Sequence, residues 1–163
     1  MALFGTRRDI STFRGISREL LENVISQNCG YYKISLEDTA INVYGEAQNK
    51  YFIGPVLINC LIERGDYAFK KENFGIDVDR PITFRFMKYH LQQANIVPEA
   101  GDAIMYNESF YQVDGINENQ FIVGKDNDYA YEQGLENFGD SYSILVFTHL
   151  TSPDILGIKQ NRL

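Results

Sequence analysis

The chain is poor in the residues that most often carry chemistry or staple a fold. It has no tryptophan, two cysteines (Cys29 and Cys60) and two histidines (His90 and His149) in 163 residues. Two cysteines make no disulfide framework, and a four-ligand zinc site would need more histidines than these two. The expectation is two reduced, buried thiols in a cytoplasmic protein. No stretch approaches the roughly 18 uninterrupted apolar residues of a membrane helix. The opening MALFGTRRDIS brings charge in after a short apolar run, so no signal peptide is read there. Neither GxSxG, GxxxxGK[ST] nor GxGxxG occurs, which removes the nucleophile elbow and the phosphate-cradling loops.

Basic charge is scarce where the acidic charge gathers. Residues 1–50 and 51–100 each carry six basic and six acidic side chains, whereas residues 101–163 carry three against ten. The net charge of −7 therefore sits in the last third, and it disfavours a general nucleic-acid binder. The exception is the start, where Arg7, Arg8 and Arg14 face Asp9 alone and form a candidate assembly arm.

What is present is an ordinary globular composition, 44% apolar and 23% charged, sized for one domain with or without an extended arm. The aromatics are eleven Tyr and eleven Phe. Tyrosine joins a flat apolar face to a polar tip, which suits half-buried strands and partner-binding surfaces.

Residues 1–15 lack periodicity and read as an extended arm. A helix is expected over Ile16 to Gln27, capped by Ser17 and ended by Gly30, with Leu20, Leu21, Val24 and Ile25 on its packing face. Strands follow at Tyr31–Ile34, through YFIGPVLINCLIER, and at ITFRFMKYH, whose Ile82, Phe84 and Phe86 alternate with polar neighbours. Gly54-Pro55 marks a strand start or bend, since proline gives a ladder no donor. Residues 64–80 read as a long loop or projecting arm. The last third reads as short strands, AIMYN, FYQVDGI, QFIVGK and SYSILVFTHL, and the tail from Pro153 reads as extended. The fold class expected is mainly β: a small antiparallel barrel or sandwich with one N-terminal α-helix and extended arms. Its bounds are an arm at 1–15, a domain at 16–150 and a tail at 151–163.

The chemistry search finds no catalytic residue, metal ligand or cofactor site. Asp126, Asp128, Glu132, Glu136 and Asp140 crowd one stretch, but a calcium loop begun at Asp126 puts Tyr131 at the glycine position and Asn137 at the closing one. They read as a solvated acidic loop. Each histidine stands alone in sequence, and Arg64-Gly65-Asp66 reads as a turn after a strand.

Val97-Pro98-Glu99-Ala100-Gly101-Asp102-Ala103-Ile104-Met105-Tyr106, followed by Ser109 to Val113, then Gln120-Phe121 and Gly124, resembles a pattern of the small β-barrel connector proteins of tailed bacteriophages. It is similar to that of the neck, or head-completion, proteins of contractile-tailed phages. The helix, Cys29-Gly30-Tyr31-Tyr32, Ala47 to Phe52 and Phe74-Gly75-Ile76 extend the likeness over roughly residues 16–150. Against the longer neck proteins, the sequence, ending soon after Pro153, reads as a form expected to be without their long C-terminal extension.

The resemblance implies a non-enzymatic virion component in a closed ring, expected as a hexamer. Its partners would be a portal or adaptor ring on the head side and a tail terminator on the tail side. Packaged DNA would pass through it without sequence-specific binding, and no membrane is involved. It would stand in the virion neck, after assembly in the host cytoplasm. Asp126, Asp128, Glu132, Glu136 and Asp140 are then candidates to face the channel or an adjacent ring. The alternatives are a tail terminator or other tail-side ring protein and, from another class, a small β-barrel enzyme or ligand-binding protein.

Overall fold

A computed structural model describes residues 7–35, 39, 50–65, 68–72, 75–79, 81–121 and 141–158. The chain runs from a helix α1 (Arg7–Glu19) through a π-helical segment (Leu20–Ile25) into strand β1 (Asn28–Ser35). Then come β2 (Tyr51–Asn59), β3 (Leu61–Arg64), β4 (Ala68–Glu72), β5 (Gly75–Asp79), β6 (Ile82–Met87) and a short helix α2 (Lys88–Gln93). Strands β7 (Ala103–Tyr106), β8 (Ser109–Phe121) and β9 (Ser141–Thr151) and a last helix α3 (Pro153–Leu156) complete it.

Seven strands form one antiparallel sheet in the order β2-β1-β7-β8-β9-β6-β3. Its two edge strands are consecutive in the chain, separated by Cys60 alone. A sheet whose opposite edges are one residue apart must curl until they meet. It does so without a ladder between β2 and β3, giving an open, sandwich-like arrangement rather than a closed barrel. The mainly-β expectation with an N-terminal helix therefore holds, on its sandwich side.

The curl puts residues from both halves into one core. Tyr31, Ile58, Cys60, Phe84, Phe86, Ile104, Tyr111, Val113, Ile144 and Val146 are buried there, with Leu91 of α2 closing it. The alternation read in β6 is the reason Ile82, Phe84 and Phe86 point inward together. Phe84 lies edge-on to Tyr106 and Tyr111, and Tyr31 edge-on to Phe86. Each such side chain contributes about 2–3 kcal/mol through burial. A smaller cluster of Tyr32, Ala103, Phe110 and Leu156 lies beside it.

Several boundaries differ from those read in the sequence. The helix is already formed at Arg7, so Ser17 lies inside it, and Gly30 belongs to β1 rather than to a helix end. YFIGPVLINCLIER is two strands broken at Cys60, and the supposed loop at 64–80 contains a separate β4–β5 hairpin. Asn117-Glu118-Asn119 does not end a strand, because β8 absorbs it as an irregularity in its pairing with β9. The tail does not simply extend, since Pro153 opens α3 and Leu156 is fully buried. At Gly54, φ is +138° and a Cβ would lie 2.7 Å from the Tyr31 carbonyl oxygen, so only glycine fits that bend.

Candidate interaction surface

Helix α1 is tied to the body by polar contacts at its base. The Arg18 guanidinium lies 4.8 Å over the Tyr89 ring, and its Nε donates to Glu22 Oε1 at 3.0 Å. The same oxygen accepts from His90 Nε2 at 3.0 Å. A carboxylate only accepts, so Nε2 is the protonated nitrogen, while the buried Nδ1 has no partner among the described residues. The hydrogen bond from His90, then that from Arg18, holds the Glu22 carboxyl below the usual carboxylate range. The π-helical turn ends with Ser26 N–H donating to Leu21 O at 3.0 Å, five residues back. It brings the buried Leu21 and the Glu22–His90 bond to the body within one turn. His90 thus has an acidic neighbour, as does His149, whose Nδ1 donates to Asp114 Oδ1 at 2.6 Å on the surface. Neither histidine stands alone.

The helix is inverted relative to an ordinary surface helix. Ser11, Arg14, Gly15 and Arg18, clustered on one side at about 100° per residue, line a cleft of about 350 Å³ against Met87, Lys88 and Tyr89. Phe13, Ile16 and Leu20 lie on the opposite side, facing solvent, and Val24 of the π segment is also exposed. Ile16 is 59% exposed and Val24 71%. The packing face expected from Leu20, Leu21, Val24 and Ile25 is buried only at Leu21. An amphipathic stripe normally turns to the core. Here the polar side lines the cleft, with Ser11, Gly15 and Arg18 still exposed along it, and the apolar side faces out as a surface that an assembly can cover.

A second uncovered apolar surface lies at the β2 edge. Register pairs Tyr51 with Ser35, Ile53 with Lys33 and Val56 with Tyr31. Tyr31 and Lys33 both reach Asp102 Oδ2, so Tyr51, Ile53 and Val56 share that face of the sheet. All three are exposed, Ile53 at 62%. Lys33, on this same face, donates its Nζ to the carbonyl of Val97, which is also exposed.

Asp102 is a functional-looking group that turns out to be structural. Its carboxylate is fully buried and accepts four hydrogen bonds: from Tyr31 Oη at 2.7 Å, Lys33 Nζ at 3.1 Å, and the backbone N–H groups of Ile34 and Glu99 at 2.9 Å each. Three of the four donors converge on Oδ2 and the fourth holds Oδ1, so both oxygens are engaged in tying the turn to β1. Burial, then the bond to Asp102, pushes the Tyr31 phenol well above its usual range. The Pro-x-x-Gly-Asp segment is therefore a clasp between the turn at 98–102 and β1.

Of the residues singled out in the sequence, Arg7, Arg8 and Arg14 all fall on α1, with Arg8 exposed and Arg14 half-buried in the cleft. They ride on a helix, not on an extended arm. Asp126, Asp128, Glu132, Glu136 and Asp140 lie outside the described residues. Cys29 and Cys60 are free and buried, and the adjacent Cys60 thiol, then burial, raises the Cys29 thiol far above its usual range. Among the described residues, no helix is long and apolar enough to cross a membrane.

No protein-family model matches the chain, and no curated protein is similar to it in sequence. In three dimensions it is similar to a chain of the virion of a native gene transfer agent particle, with a TM-score of 0.50 at 8% identity. The superposition covers 76% of this chain and 91% of that one. At this identity the likeness is one of fold.

Proposed function

We propose that the chain is a structural protein of a phage-type virion and that it serves in the neck. There it would form a ring that closes the DNA-filled head and joins it to the tail. The observation that carries the reading is the outward apolar stripe of the helix: among the described residues nothing covers it, and neighbours in an assembly would. The fold likeness to a virion chain supports the same class. The neck position is supported by the Pro98–Tyr106 pattern and its following strands. The buried Asp102 and His90 are both engaged in holding the fold.

In this reading the partners are further copies of the chain, a portal or adaptor ring above and a tail terminator below. The channel passes DNA without sequence-specific contact. A tail-side ring is the second reading, and the position in the particle separates the two. Asp126, Asp128, Glu132, Glu136 and Asp140 are proposed to face the channel or the next ring, where like charge keeps DNA from sticking. Native mass spectrometry and negative-stain imaging of the protein, alone and with the portal–adaptor complex, test the reading. Rings in either sample support it. A chain that stays monomeric alone and binds no portal–adaptor complex contradicts it.

A further inference from the structure

Resting on that reading, we infer that the subunits join head to tail. The stripe of α1 and the π segment of one copy docks on the sheet face at the β2 edge of the next. The chain carries two uncovered apolar patches of different shape, a helix stripe (Phe13, Ile16, Leu20, Val24) and a strand face (Tyr51, Ile53, Val56, Val97). Helix against helix would cover the first and leave the second bare. Helix against sheet covers both in one contact and is the ordinary layered way to bury such faces. Two different patches make the joint heterologous, the kind that closes into rings.

Size and charge agree with this occupant. Four side chains per patch remove roughly 250–500 Å² from water on each side. That is below the about 800 Å² per partner of a stable two-body interface. One joint alone is therefore weak, whereas each ring member is held by two. Exposed Glu19 on the flank of the stripe and Lys50 beside Tyr51 bring opposite charges to the two rims.

The test uses two full-length variants, Ile16→Glu on the stripe and Ile53→Glu on the strand face, with circular dichroism and a thermal melt to confirm folding. Should either fail to fold, Leu20→Ser and Tyr51→Ser replace them. In sedimentation velocity at the highest reachable concentration, the wild type is expected to self-associate, and each variant alone to do so about tenfold or more weakly. An equimolar mixture of the two variants keeps one intact joint, so it should give a one-to-one heterodimer and nothing larger. A wild type that stays monomeric, a variant that assembles like wild type, or a mixture no more associated than either variant alone overturns the docking. By themselves these outcomes leave the neck reading standing, which fails if the chain also binds no portal–adaptor complex or is missing from purified particles.

Discussion

Asp102 shows most clearly what one side chain does for this fold. Replacing it with alanine strands the Tyr31 hydroxyl in the core and takes one of two carboxylates from half-buried Lys33, which keeps Glu99 at 2.8 Å. Asp102→Ala is therefore expected to cost about 3–5 kcal/mol in urea unfolding, and Asp102→Asn less, because one oxygen still accepts. Glu22 gives a pH signature. Its carboxyl is held below its unfolded value, so its contribution is complete above the ordinary carboxylate range near pH 4–5 and is lost as pH falls through and below it. Glu22→Gln should flatten that part of the acid limb when the urea midpoint is followed from about pH 6 to pH 3. A wild-type acid limb retained in full by the variant would exclude this role. Neither role is legible in the sequence. His90 and Glu22 are 68 positions apart and Tyr31 and Asp102 are 71 apart, and no local pattern joins them.

At the scale of elements, legibility follows periodicity. Strand β6 was readable because its alternation matches a sheet with one buried face. The helix was readable from its apolar repeat, but its ends were not, because Ser17 and Gly30 imitate a cap and a stop. Its direction was misread for a physical reason: an apolar stripe says that something covers it, not whether that is the same chain. The β4–β5 hairpin was hidden by its charged residues, since two strands outside the main sheet need no apolar alternation of the kind the core imposes. Gly54 gives the sharpest test at this scale. An alanine Cβ would meet the Tyr31 backbone at 2.7 Å in a backbone conformation closed to L-residues. Gly54→Ala is expected to destabilise by about 2–3 kcal/mol in urea unfolding, and a change below about 0.5 kcal/mol would refute the account of the bend.

At the scale of the whole molecule, the curl of the sheet follows from one connection, Cys60 between the two edge strands, which sequence patterns could not disclose because strand order is not local. The curl leaves the N-terminal helix on the outside with its apolar side uncovered by any described residue, and the acidic excess lies in the last third of the chain. Together these describe a subunit that is complete as a fold and incomplete as a surface. The claim that completes it, a ring of this protein between head and tail, is tested most directly by a cryo-electron microscopy reconstruction of the particle that encodes the chain. The account predicts a ring of this fold at the head–tail junction, with α1 of each copy against the β2 edge of its neighbour. Particles that lack the chain, or that hold it away from that junction, would contradict the account.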